Sequence, residues 1–200
     1  MNNEFHYQRL IVAYHGCEKK VRDQVIKNQE SLKPSEKAYD WLGKGIYFWE
    51  HGVHRAMNWA ETRYGKGLEE PAVIGALIQL GNCFDLLDTN FTRILKLSWP
   101  RFESLFLEQQ KPIPQNRPSH PSDQDAALRL LDCAMVNWTL SEAENKMGVK
   151  FDTVRGVFQE GEPAFPNSYI LEKSHIQIAV RNPACILGYF LPNYEKGIES

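Results

Sequence analysis

The chain has 200 residues, 42% of them apolar and 12% aromatic, which suffices for one large domain with a sizeable core. A formal net charge of -2 and a pI of 6.3 leave no global basic field to draw the protein to nucleic acid or an anionic membrane, so any such binding is local. No apolar run approaches the roughly 20 residues of a spanning helix, and the opening MNNEFHYQRL lacks the layout of a secretory signal, so a cytoplasmic protein with no membrane partner is expected.

Four cysteines, Cys17, Cys83, Cys133 and Cys185, fall without CxxC pairing, which predicts reduced, buried thiols rather than a zinc knuckle or a disulfide framework. Leu10 to Tyr14 is a continuous apolar run that reads as a buried strand carrying His15-Gly16 at its end. Val21 to Gln29 has the spacing of a short amphipathic helix, and Pro34 keeps the following SLKPSEKAYD loop from continuing it. Gly43 and Gly45 then bracket Lys44 ahead of Ile46-Tyr47-Phe48-Trp49, so a flexible turn feeds a short aromatic strand and its backbone can pass close to a bound molecule. After His51-Gly52 the period changes, with Val53, Ala56, Met57 and Ala60 on one side of a helix.

Ala72 to Leu80 and Cys83 to Leu87 are strand-like, with a bend or bulge expected at Gly81. Asn90 to Gln110 favours helices broken near Pro100, and the four prolines of Lys111 to Ser122 mark a surface loop. Ser122 to Met147 reads as a longer helix, with Ser122 as its cap, Asp123 and Asp125 in its first turn, Ala126, Leu130, Ala134 and Trp138 or Val136 inward, and Gly148 as its stop. Thr153 to Phe158 and His175 to Val180 return to strands, the second alternating so that His175 and Gln177 share a face, and Cys185 to Leu191 is a final apolar strand. The order of elements gives a single α+β domain over residues 1-200 with a helical block at about 90-147. His51 and His54 make an HxxH without a third ligand, so no metal is expected.

Three of these segments carry a resemblance. Tyr14-His15-Gly16-Cys17 resembles the histidine-glycine strand end of the poly-ADP-ribose polymerase and diphtheria-toxin branch of ADP-ribosyltransferases. Gly43-Lys44-Gly45-Ile46-Tyr47-Phe48 looks like its second signature nearly letter for letter, with the small residue Ala56 on the helix that follows. The strand His175 to Val180 is similar to its third element, with Gln177 where most members have a glutamate. The resemblance spans residues 10 to 80 and 150 to 192 and leaves the helical block without a counterpart. It implies a split β-sheet core with flanking helices and a helical insertion.

The resemblance also implies an activity: a mono-ADP-ribosyltransferase, a glycosyltransferase that cleaves NAD and passes ADP-ribose to a macromolecular acceptor, in the manner of a toxin or defence effector. Its partners would be NAD as donor substrate, a protein or nucleic-acid acceptor and an antitoxin or immunity protein. Breaking the nicotinamide–ribose bond passes through an oxocarbenium-like sugar and needs an oriented ribose, a held leaving group and a shielded pocket. By the resemblance His15 binds a ribose hydroxyl, the Gly16 backbone grips the nicotinamide amide and Tyr47 packs on its ring, with Gly45 and Phe48 beside them. A second stacking aromatic belongs at Asn58. Trp59 is next door, rotated by about 100 degrees, toward either the cleft or the core.

Gln177 has no charge to steady a cation and no base to take a proton, so catalysis calls for another carboxylate. Glu160 and Glu162 sit in the loop before the strand that carries Gln177 and Glu172 lies just ahead of it, and Glu162 completes a catalytic set with His15, Tyr47 and Gln177. Lys19, Lys20 and Arg22 form a local basic cluster near that set. A non-catalytic NAD or ADP-ribose binding module and an NAD hydrolase are the alternative readings.

Overall fold

The computed structural model describes residues 6–66, 69–119 and 127–193. Six strands, β1 (His6–Glu18), β2 (Ile46–Glu50), β3 (Pro71–Asp85), β4 (Thr153–Phe158), β5 (His175–Val180) and β6 (Ile186–Phe190), alternate with four helices, α1 (Lys19–Ile26), α2 (Val53–Thr62), α3 (Thr89–Glu108) and α4 (Leu130–Met147). The fold is α+β, as the pattern of elements predicts.

The sheet has the order β1-β2-β5-β4-β3-β6 with an additional β1–β3 pairing, so the ladder closes on itself. It consists of two three-stranded halves, β6-β3-β1 and β2-β5-β4. They are joined by the short antiparallel β1–β2 contact on one side and the parallel Cys83↔Thr153 to Asp85↔Arg155 contact on the other. Alternating residues from both halves meet inside: Ile11 and Ala13, Ile74 and Ile78, Ile46 and Phe48, Ile178 and Val180. Each such aliphatic or aromatic side chain, once buried, contributes about 1.5–3 kcal/mol. All four cysteines are free and buried.

An ion cluster closes one end of this core. Arg155 donates from Nε and Nη2 to Glu50 at 2.6 and 2.9 Å and from Nη1 to Asp85 at 3.1 Å, so one guanidinium ties β4 to β2 and β3. The three side chains are 6 to 10% exposed. Removing Arg155 alone would strand two buried carboxylates at a loss of about 3–5 kcal/mol.

Several boundaries differ from the sequence reading. Ala72–Leu80 and the start of Cys83–Leu87 are one strand that ends at Asp85, with Leu86 and Leu87 in a turn, and Gly81 supplies the expected irregularity with φ +59 and a register shift opposite it, between Tyr7 and Leu10. Pro100 lies inside the continuous helix α3 rather than breaking it; Pro removes one backbone donor, and a long helix packed on α4 tolerates that single loss. The Ser122 cap with Asp123, Asp125 and Ala126 lies outside the described residues, but 127–129 are not helical and α4 starts at Leu130. Its cap comes from the proline-rich loop, where Asn116 Oδ1 accepts from Leu131 N and Asp132 N. Of the two alternatives Val136 is the inward one, buried with Cys133, Met135, Thr139 and Leu140, whereas 130 and 134 are only partly buried and Trp138 packs on Phe102 of α3. Gly148 does end the helix, with φ +65. Among the described residues no helix is long and apolar enough to cross a membrane.

Candidate functional site

The β1–β2 ladder contains Ala13↔Glu50 and Tyr14↔Trp49 and then opens. The same register carried further would place Gly16 opposite Tyr47. In that gap the His15 imidazole takes the place of a strand partner, its Nδ1 2.7 Å from the Tyr47 carbonyl oxygen. A carbonyl only accepts, so Nδ1 carries the proton and the neutral ring leaves Nε2 as a bare acceptor. Burial, opposed by the bond to Tyr47, lowers the His15 pKa and keeps the ring neutral at pH 7. His51 N donates to Val12 O at 3.1 Å, and backbone groups alternate along a strand, so the N–H and C=O of Gly16 also aim toward the β2 side, into the gap. Gly16 must be glycine, because a Cβ there would lie 2.3 Å from Ala56 O of α2.

β2 sends alternate side chains to opposite faces. Ile46 and Phe48 enter the core, while Tyr47 and Trp49 line a cleft of about 330 Å³ whose walls also include His15, Gly45, Trp59 and Gln177. That volume lies at the small end for ligand sites. Phe48 is therefore a correction to the binding set: it is fully buried and packs beneath His15, ring centroids 5.6 Å apart. Tyr47 donates from its hydroxyl to Gly43 O at 2.7 Å and accepts from Leu42 N at 3.0 Å, which clamps the turn in which Gly43 has φ +77. Burial, with Asp40 adding to it, raises the Tyr47 pKa far above the phenol range. Its ring is a platform and its hydroxyl a structural tie, not an acid or base. Gly45 lines the cleft with its backbone paired to Ser35.

Gln177 lies on the same face, in register with Trp49 of β2 and Gly156 of β4. A Cβ on Gly156 would lie 2.9 Å from the Trp41 ring, so the glycine lets that indole lie over β4 and donate from Nε1 to Gln177 Oε1 at 2.8 Å. With its oxygen held, the carboxamide presents its N–H donors. Trp41 stands two residues before Gly43, yet its role depends on a glycine more than a hundred positions away. Trp59 turns toward the cleft while its ring rests on Trp49 at 5.7 Å; Asn58 is exposed beside Arg55.

The carboxylate assignment changes. Glu162 and Glu172 are exposed and paired backbone to backbone, whereas Glu160 lines the cleft and holds Arg55 Nη2 on Oε2 at 2.6 Å. Two residues further along the loop, Glu162 has passed the rim. Lys19, Lys20 and Arg22 are not at the site either: Lys19 pairs with Glu70 and Arg22 with Asp23. The basic lining is Lys33, Lys37, Arg55 and Arg63, against Asp40 and Glu160. His175 shares the face of Gln177, as expected, but stacks on Phe158 at 5.4 Å with its pKa lowered by burial. Burial pushes Cys17 up to about 11 and Cys83 up to about 12, so neither thiol is an anionic nucleophile. Among the described residues no group of His, Cys, Asp and Glu has the geometry to hold a metal.

Comparison with known proteins adds extent rather than activity. No family model matches the chain, and no solved structure matches it. An uncharacterized protein of Methanocaldococcus jannaschii is 26% identical over 215 residues, covering 96% of this chain and 92% of that protein. An alignment of that span takes in the helical block as well as the sheet.

Proposed function

We propose that the cleft binds NAD and that the protein cleaves its nicotinamide–ribose bond to transfer a single ADP-ribose to a macromolecular acceptor. The observation that carries this reading is the meeting of three distant segments, His15, Tyr47 and Gln177, on one cleft. Each offers what the reaction needs. The splayed gap beside Gly16 exposes a strand edge with one donor and one acceptor, which complements a carboxamide such as that of nicotinamide. The Tyr47 ring gives that heterocycle a flat apolar face, worth about 0.5–1.5 kcal/mol beyond area burial.

Neutral His15 offers Nε2 to a ribose hydroxyl, and Gln177 offers N–H donors to the same sugar. Among the described residues four cations line the cleft against two carboxylates, which favours a diphosphate. A held leaving group, a fixed ribose and aromatic walls together favour the loose, cationic sugar over the ground state.

The test is nicotinamide release from carbonyl-labelled NAD by the full chain, with and without cell extract. Release by the wild type, transfer of label from adenine-labelled NAD to macromolecules, and loss of both with His15→Ala or Tyr47→Ala are expected. Activity fully retained in either variant would remove the site from the reaction.

A further inference from the structure

We infer that Glu160 is the catalytic carboxylate of this cleft, taking the proton of the incoming hydroxyl and standing in for the charge that Gln177 lacks. The inference rests on the NAD-cleaving reading above and adds a residue to it.

Among the described residues two carboxylates line the cleft, Glu160 and Asp40, and the fold separates their tasks. Asp40 lies in the turn before Gly43, where its Oδ2 accepts from Lys37 N at 2.8 Å and its carbonyl accepts from Gly43 N at 2.6 Å. It builds the floor under Tyr47. Glu160 comes off the end of β4, two residues past Phe158, and meets Arg55, whose guanidinium lies 5.8 Å from the ring of Trp49. Trp49 is the cross-strand neighbour of Gln177, so the Arg55–Glu160 pair borders the same stretch of the cleft that Gln177 lines. Its side chain is 27% exposed and that of Arg55 16%, which leaves the carboxylate accessible from the cleft but held in place.

Arg55 engages one carboxylate oxygen, Oε2, and a carboxylate has lone pairs to spare for a second partner. Trp49 Nε1 and Arg55 Nε are buried there without a hydrogen-bond partner among the described residues, the mark of a corner built for more than its own packing. His175 is the competing base. Its Nδ1 is bound to Lys173 O at 2.6 Å and its Nε2 is a third unpartnered atom of the same corner among the described residues, but His175 stands behind Trp49 and does not line the cleft, whereas Glu160 does.

The step balances as follows. The bond between the ribose anomeric carbon and the pyridinium nitrogen breaks with its electron pair going to nitrogen, releasing neutral nicotinamide. An acceptor or water oxygen bonds to the anomeric carbon, and its proton passes to Glu160, which later returns it to solvent. No oxidant or reductant is involved.

The experiment compares NAD affinity with the rate of nicotinamide release in the full chain, with cell extract as the source of acceptor. Glu160→Gln is expected to slow release by about a hundredfold or more while NAD affinity stays within about threefold. Glu160→Asp, which keeps the charge on a side chain one methylene shorter, is expected to recover at least about tenfold of that loss, and equal loss in the two variants would overturn the inference by assigning Glu160 a purely structural part. A Glu160→Gln rate within about threefold of wild type, with His15→Ala inactive, would also overturn it and leave the NAD-cleaving site standing. Failure of the wild type to bind or cleave NAD would remove both.

Discussion

At the scale of single residues, the site is made of side chains whose second function is to hold the backbone. His15 replaces a strand pairing, Tyr47 pins a left-handed glycine and Trp41 fixes a carboxamide, so each group that faces the cleft is oriented by a bond made on its far side. The two partly buried imidazoles also give the fold a pH dependence with a definite sign. Burial lowers the pKa of both His15 and His175, so below about 6.5 the unfolded chain binds protons that the folded chain refuses. Stability is therefore level above that pH and falls as the pH drops toward the folded values. Urea midpoints measured at about pH 7.5 and about 5.5 should drop for the wild type and drop less for a His15→Gln/His175→Gln double variant. Parallel losses in the two proteins would contradict the assignment. His175 is faced by Arg55, which deepens the shift, and by Glu160, which opposes it.

Secondary-structure elements were legible where one period ruled and illegible where a partner from elsewhere intervened. The strands at 10–14, 46–49, 153–158 and 175–180 lie where alternation or apolar runs place them, because the closed sheet buries those faces. The same alternation separates Tyr47 from Phe48, which the motif alone had grouped together. The start of α4 was not readable, since its cap, Asn116, stands 15 residues before Leu131 in a loop without periodicity. Asn116→Ala should destabilise the protein by about 0.5–2 kcal/mol, the usual loss for a helix cap, with little change at the cleft. Thermal unfolding measures it. An unchanged midpoint would mean that α4 is held by Val136 and Leu140 alone. Glu160 and Glu162 show the same limit at the site: one loop carries both, and only the path of β4 decides which reaches the rim.

For the whole molecule, the closed ladder explains why a cleft exists at all. Two half-sheets share one core, are locked at one end by the Arg155–Glu50–Asp85 cluster, and separate at the other where β1 and β2 splay around His15. A rigid frame with one opened seam keeps the cleft residues fixed without a ligand, which lowers the ordering penalty of binding. The same frame places Trp41, Trp49 and Trp59 on the cleft, whereas Trp99 and Trp138 pack with Phe102 between α3 and α4. Three of the five tryptophans thus report on occupancy. Titrating NAD against tryptophan fluorescence tests the central claim most directly. The account predicts a saturable change that is lost in His15→Ala; a flat signal at millimolar NAD, or an identical curve in the variant, would contradict it.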